Sequence, residues 1–290
     1  MKTKKLFLGV GDAILLILFV YLIVFPQSAS EPTRNALMFC AKTLVPSLFI
    51  YMVLSKILLS RPITEKIAKH IGVVPIALIL GMLCGAPIGA KNALSLYENG
   101  RIDKKYAEFL CSFTNNASVS FVVGFVGSEL FSNVYIGLKL LCFQLIATVI
   151  TALVMKWIIF GKKKIKKAVF VKSVKVGLSE ALTDSATTMI TLCACVVFFI
   201  VVGNAISGIV GMPDVVLAIL KSTLEFSSGC AFAVSGRYGL QICAFAIGGT
   251  GLSVALQVRS VIANKLSMMP FLAGKLISCA VMTLLAIIFG

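Results

Sequence analysis

The segment from Val73 to Lys91, VVPIALILGMLCGAPIGAK, is an apolar run that is interrupted near its end by Gly85-Ala-Pro-Ile-Gly89. Basic residues flank the run on both sides, in the segments 61–69 and 101–105. Because Lys and Arg concentrate in cytoplasmic loops, both ends of the run are expected on the cytoplasmic side. The pattern therefore predicts a re-entrant hairpin, although hydropathy alone leaves a tilted span open as the alternative.

The composition of the whole chain agrees with a bilayer as solvent. Of its 290 residues, 59% are apolar and 13% are charged, and the mean hydropathy is +1.03. Soluble proteins average roughly 45–50% apolar and about 25% charged residues. We therefore predict an all-α polytopic membrane protein, anchored in the lipid bilayer and without an extensive catalytic domain outside it.

The formal charge of +16 comes from 27 basic and 11 acidic residues. In a soluble protein this excess would suggest nucleic acid, but here the basic residues lie in short segments between apolar runs, without interleaved aromatic residues. Cytoplasmic loops and anionic lipid headgroups explain them better, so no nucleic acid partner is expected.

The apolar runs predict seven crossings and two hairpins. Leu6–Phe25 is either a cleaved signal peptide, since Ser28-Ala-Ser30 resembles a cleavage site, or an uncleaved first helix, which its length favours. The basic segment Lys2–Lys5 predicts that the N-terminus lies on the cytoplasmic side of a bacterial cell (inner) membrane. The loop Pro26–Thr33 is then expected outside. The other predicted crossings are Leu37–Leu59, Tyr106–Gly127, Val134–Phe160, Thr187–Val210, Leu240–Val258 and Phe271–Phe289.

Two further segments complete this topology. Val215–Val234 contains Lys221, Glu225 and Ser227-Ser-Gly229, which favours a second re-entrant hairpin, entered from outside. Val169–Leu182 follows the basic cluster Lys162–Lys167 and has amphipathic spacing. It is typical of an interfacial helix or of a cytoplasmic linker helix. Lys175, Glu180 and Asp184 lie just before the crossing Thr187–Val210 and are expected at the interface.

The two halves of the chain share a layout of span, broken hairpin, broken crossing and span. Asn115-Asn-Ala-Ser118 interrupts a crossing in the first half, and Gly248-Gly-Thr-Gly251 interrupts one in the second. We therefore predict two inverted repeats, each with a re-entrant hairpin and a broken transmembrane helix, plus an extra N-terminal helix. The predicted regions are 1–35 (N-terminal helix and outer loop), 36–160 (first repeat), 161–184 (basic linker and amphipathic helix) and 185–290 (second, inverted repeat).

Several short motifs resemble the sporulation integral membrane protein family, in the nucleoside-recognition or Gate domain group. These motifs are Gly85-Ala-Pro-Ile-Gly-Ala-Lys91, Leu96-Tyr97, Asn99-Gly100, Phe113-Thr-Asn-Asn116 and Leu252-Ser-Val-Ala-Leu-Gln257. The resemblance covers roughly Leu37 to Phe289. It implies a membrane fold related to concentrative nucleoside transporters and a role in endospore formation.

The candidate binding residues surround the predicted interruptions. Lys91 and Glu225 are expected to face a shared central cavity, as a pair or as solute ligands, because ionisable groups at membrane depth are costly without a role. The alternative is that both snorkel to water from hairpin mouths. The predicted solute-binding residues are Lys91, Asn115, Asn116, Ser118, Glu225, Ser228, Thr250, Ser253 and Gln257. The predicted hairpin and helix breaks are Gly85, Pro87, Gly89, Gly229, Gly248, Gly249 and Gly251, which could alternatively serve close helix packing.

The leading functional hypothesis is a carrier or binding protein for a small polar solute, with a nucleoside as the candidate that the resemblance implies. The alternative is a non-transporting sporulation scaffold that contacts itself, as a homo-oligomer, or other sporulation membrane proteins. We expect no enzyme, because the sequence has no nucleophile–base pair and no cofactor fingerprint. With one histidine and no CxxC motif, we expect no metal site and no cofactor beyond a coupling proton or sodium ion.

Overall fold

The computed structural model describes residues 2–162 and 176–290, which form helices and no strands. The α-helices are α1 (Lys2–Val24), α2 (Gln27–Phe39), α3 (Val45–Leu59), α4 (Pro62–Ile71), α5 (Val73–Cys84), α6 (Ile88–Glu98), α7 (Lys104–Phe113), α8 (Val134–Phe160), α9 (Leu178–Ile209), α10 (Asp214–Leu224), α11 (Phe226–Ala233), α12 (Gly239–Gly249), α13 (Gly251–Ile262) and α14 (Met269–Phe289). Two π-helical segments are π1 (Cys40–Leu44) and π2 (Ser120–Leu130).

Five helical stretches in the described residues are long and apolar enough to cross a bilayer. They are Gln27–Leu59, Val134–Phe160, Leu178–Ile209, Gly239–Ile262 and Met269–Phe289. Shorter apolar helices cover Leu15–Val24, Val73–Cys84 and Ser120–Leu130. Many of their large apolar side chains are exposed on the surface of the bundle, as expected where lipid is the solvent. The prediction of an all-α polytopic membrane protein is confirmed.

The predicted outer loop at Pro26–Thr33 is wrong. The chain bends at Pro26 and re-enters a helix at Gln27, which continues through π1 and α3 to Leu59. Pro32 lies inside α2 and removes one backbone hydrogen bond without ending the helix. Packing of α2 against α9 explains why the helix persists through this proline.

Two other predictions concern the segments on either side of α8. The predicted crossings Tyr106–Gly127 and Val134–Phe160 leave a loop at Ser128–Asn133 between them. This loop is shorter than predicted, because π2 continues to Leu130. The predicted amphipathic helix Val169–Leu182 and the cluster Lys162–Lys167 lie largely outside the described residues. After that gap, helix α9 begins at Leu178.

Four helices are interrupted in their apolar stretches. The interruptions lie at Gly85–Pro87 between α5 and α6, at 114–118 between α7 and π2, at Glu225 between α10 and α11, and at Thr250 between α12 and α13. Thr250 has the left-handed φ of 59° and is followed by Gly251 at 72°, so the chain turns sharply there. Helix α5 packs against α6, and α10 packs against α11.

Glycines let these segments approach at backbone distance. A Cβ atom on either Gly81 or Gly89 would overlap the carbonyl oxygen of Thr114. Three of the predicted break residues, Gly89, Gly229 and Gly248, lie inside helices rather than at the breaks. A Cβ on Gly248 would lie 2.7 Å from the Cα of Cys279. Close packing therefore explains these glycines, in the manner of small-residue interfaces between membrane helices.

We predict that Gly274→Ala destabilises the protein, because the added methyl group would overlap the backbone carbonyl of Ser112. Overpacking of this kind costs about 1–3 kcal/mol. Gly124→Ala is the matched control, since a Cβ at Gly124 would meet nothing within 4 Å. Thermal unfolding in detergent should show a lower Tm for Gly274→Ala and a Tm close to wild type for Gly124→Ala. Equal Tm values for the two variants would contradict this account of the interface.

Candidate functional site

All four helix interruptions border one small cavity, here called the central cavity. Its volume is about 40 Å³. Its polar and turn-forming lining residues are Gly85, Ala86, Asn116, Ala117, Ser118, Glu225, Ser227, Thr250 and Gln257. Apolar side chains, among them Phe121 and Phe226, complete its wall. Segments that are about 25 to 165 residues apart in sequence thus meet at one point.

A second and larger cavity, here called the charged cavity, lies between α3, α6, α9 and α13. Its volume is about 630 Å³. The charged residues that line it are Lys56, Lys91, Glu98, Arg101, Glu180 and Asp184. Its neutral polar lining includes Asn92, Asn99, Thr188, Gln257 and Ser260. Gln257 lines both cavities and so marks where they adjoin.

Lys91 binds Asp184 rather than Glu225. Its Nζ lies 2.7 Å from Asp184 Oδ2 and donates a hydrogen bond of 2.5 Å to Thr188 Oγ1. Lys56 reaches the same carboxylate oxygen at 3.0 Å and Glu180 at 3.4 Å. Asp184 therefore joins α9 to α3 and to α6 at one side of the charged cavity.

Glu225 is fully buried and lies in the central cavity. Its carboxylate accepts hydrogen bonds from the Ser227 N–H at 3.1 Å and from the Ser228 N–H at 2.8 Å. The Ser227 hydroxyl donates a third, at 2.5 Å. The side chain thus caps the start of α11 and does not snorkel to water, while Lys91 and Glu225 line different cavities.

The polar residues of the first broken crossing hold the break together. Asn115 accepts the Ala90 N–H at 2.8 Å and donates to the Cys111 carbonyl at 2.9 Å. Asn116 donates to the Phe113 carbonyl at 3.0 Å, and Ser118 accepts the Phe121 N–H at 3.2 Å. Asn116 and Ser118 also line the central cavity, whereas Asn115 does not line either cavity.

The second half supplies a comparable set. Thr250 lines the central cavity and donates to the Gly249 carbonyl at 2.7 Å. Gln257 Nε2 donates to the Ser253 hydroxyl at 3.2 Å, and no group of the described residues donates a hydrogen bond to the buried Gln257 Oε1. Ser253 and Ser228 line neither cavity. Ser253 accepts a hydrogen bond from Gln257, and the Ser228 N–H donates one to Glu225.

Sequence reasoning missed three residues of the charged cavity. Asp184 was expected at the interface, and Lys56 and Asn92 drew no prediction. An acidic residue at the start of the long apolar helix α9 was a usable signal, but its lysine partners lie on other helices. In the described residues no group of three or more His, Cys, Asp or Glu side chains could hold a metal ion.

We predict that Asp184→Asn lowers the free energy of unfolding by about 1–2 kcal/mol, because it removes the ion pair of Lys91 and the shorter of the two ion pairs of Lys56. Glu180→Gln is the matched control, since the Glu180 side chain is 63% exposed and makes a single contact. Its effect should stay below about 0.5 kcal/mol. Urea unfolding in detergent micelles measures both values. A loss in Glu180→Gln as large as that in Asp184→Asn would contradict the central role of Asp184.

Comparison with known proteins gives one similarity. The sporulation integral membrane protein YlbJ of Bacillus subtilis (strain 168) is 26% identical over 243 residues, which cover 72% of this chain and 59% of the relative. The chain therefore spans less than two thirds of the length of the relative it matches. No family model matches the chain, and no solved structure matches it. Similarity to an integral membrane protein and five apolar helices together make this chain a multi-pass membrane protein.

Proposed function

We propose that this protein binds a small polar solute in the charged cavity and carries it across the cell membrane. The observation that carries the proposal is the charged cavity itself, at about 630 Å³. Ligand pockets typically measure about 300–1,000 Å³ and present a few converging polar groups. Charged and amide side chains are costly inside a membrane protein, which supports a functional reason for their presence.

The charges and amides of the cavity suit a polar solute without net charge, and nucleosides are the first candidates. Three basic and three acidic side chains line the cavity, so their formal charges balance. Asn92 is 6% exposed, and its Nδ2 has no hydrogen-bond partner in the described residues. Asn92 therefore presents a hydrogen-bond donor that a hydroxyl or carbonyl oxygen of the solute can satisfy.

The mechanism that we propose is alternating access in two inverted repeats of a Gate-like, nucleoside-transporter-like fold, without covalent chemistry. In each repeat a helix pair acts as a re-entrant hairpin, α5 with α6 and α10 with α11. The meeting of four interruptions at the central cavity supports this arrangement, since broken helices at a repeat interface are typical of secondary transporters. The basic residues at the N-terminus favour a cytoplasmic position for it.

The biological setting that we propose is endospore formation. The similarity to a sporulation integral membrane protein supports it. A protein of this kind would act in the cell membrane of the sporulating bacterium. A scaffold that contacts other sporulation membrane proteins is the competing function, and it requires no solute.

The test is a solute library of nucleosides, bases and amino acids, applied to the purified protein in binding and proteoliposome uptake assays. We expect saturable binding of one class and a loss of affinity of about three- to tenfold in Asn92→Leu, as for the loss of one hydrogen bond. Gln144→Met is the matched control, because Gln144 is also a buried amide with an unpartnered atom but does not line the charged cavity.

Two results would count against the proposal. Absence of specific binding across the library would favour the scaffold function. Equal loss of affinity in Asn92→Leu and Gln144→Met would place the solute outside the charged cavity.

A further inference from the structure

The carboxylate of Glu225 is a buried charge that only neutral groups contact. Glu225 is 0% exposed, and its three hydrogen-bond donors are two backbone N–H groups and one serine hydroxyl. In the described part of the chain no lysine, arginine or histidine forms an ion pair with it. A buried carboxylate without a counter-charge is strongly unfavourable, so beyond the N-terminal end of α11 that it caps, Glu225 needs a bound cation or a proton.

A second buried group in the same cavity lacks a partner. Gln257 is 2% exposed and lines the central cavity together with Glu225. Its Nε2 donates to Ser253, which orients the amide, and its Oε1 has no hydrogen-bond partner among residues 2–162 and 176–290. An unsatisfied buried acceptor costs about 1–3 kcal/mol. A cation in the cavity would satisfy this oxygen and the Glu225 carboxylate at once.

The remaining polar groups at the cavity are also oxygen donors. Asn116, Ser118 and Thr250 line the cavity, and each carries a side-chain oxygen. Helix α12 ends at Gly249, next to the cavity residue Thr250. The C-terminal end of a helix carries partial negative charge, which favours cations. Oxygen ligands of this kind suit hard cations rather than zinc or copper.

Charge and size select among the hard cations. One carboxylate balances one positive charge, so a divalent ion would leave an uncompensated charge in the membrane interior. The cavity volume of about 40 Å³ compares with roughly 30 Å³ for one water in the liquid. The cavity therefore admits a single ion stripped of most of its hydration shell.

From these observations we propose that Glu225 and Gln257 bind a sodium ion in the central cavity. Asn116, Ser118 and Thr250 complete the oxygen ligands. The ion neutralises Glu225 and links the second-half hairpin to both broken crossings. The assignment does not depend on the solute of the charged cavity, because none of its evidence involves that solute.

The test is thermal unfolding of the full chain in detergent, without solute, in sodium chloride against choline chloride at constant ionic strength. A ligand that binds only the folded state stabilises it by mass action. We expect Tm to rise with sodium and to gain about 3–6 °C at a concentration about tenfold above Kd. Radioactive sodium binding to the purified protein should saturate over the same concentration range.

Two variants and two controls locate the ion. Glu225→Gln and Gln257→Met should lose the sodium-dependent rise, and Gln257→Met keeps the carboxylate in case Glu225→Gln fails to fold. Glu108→Gln removes a partly buried carboxylate outside both cavities, and Thr151→Val removes a buried hydroxyl outside both. Both controls should keep the sodium response of the wild type.

Several outcomes would overturn the assignment. Equal Tm values in sodium and choline would exclude a sodium site, and stabilisation by acid alone would identify the counter-charge as a proton. An equal rise in potassium chloride would show that the site is not a sodium site. A full sodium response in Gln257→Met would place the ion elsewhere. The Tm and sodium-binding measurements contain no solute, so the sodium site and solute binding in the charged cavity are tested separately.

Discussion

The structure depends on the need to satisfy every backbone polar group inside the bilayer. Four helices are interrupted within apolar stretches, and free N–H and C=O groups cannot be left to lipid. The interruptions solve this problem for one another: the Ala86 N–H donates to the Asn116 carbonyl at 3.0 Å, and the Ala90 N–H donates to Asn115 Oδ1. Gln144 on α8 donates to the Ala117 carbonyl at 3.0 Å. The two breaks of the first half therefore meet through these hydrogen bonds, and all four breaks border the central cavity.

Close approach of the segments is the second condition, and glycine provides it. The first hairpin packs on the carbonyl of Thr114 through Gly81 and Gly89, and α14 packs on the carbonyl of Ser112 through Gly274. A side chain at any of these positions would push the broken crossing away from its hydrogen-bond partners. The glycines of this chain thus allow close helix packing as well as turns.

The two cavities handle charge in different ways. In the charged cavity the lysines on α3 and α6 share the carboxylate of Asp184, so opposite charges lie within 2.7–3.0 Å of each other. In the central cavity the Glu225 carboxylate is held by neutral donors alone. Gln257 lines both cavities, and its Oε1 has no hydrogen-bond partner within the part of the chain that the structure describes. A change at this residue can therefore affect both cavities.

The sequence by itself determined the solvent of this protein and the places where its helices break. Hydropathy is a sum over neighbouring residues, so the runs 134–160 and 271–289 predicted helices that the structure places at Val134–Phe160 and Met269–Phe289. Glycine, proline and asparagine act on the local backbone, so they marked the interruptions at 85–87 and 114–118. The helix through Gln27–Thr33 escaped prediction, because packing against α9 outweighs the local effect of Pro32.

Only the tertiary structure decided which side chains meet. The sequence allowed Lys91 and Glu225 either to face one shared cavity or to snorkel separately to water. In the structure Lys91 binds Asp184, which is 93 residues away, and Glu225 caps the helix that follows it. Asn115 carries the same amide as Asn116, yet only Asn116 lines the central cavity. Contacts of this kind depend on helix rotation and crossing, which hydrophobic patterning constrains weakly when lipid and protein interior are equally apolar.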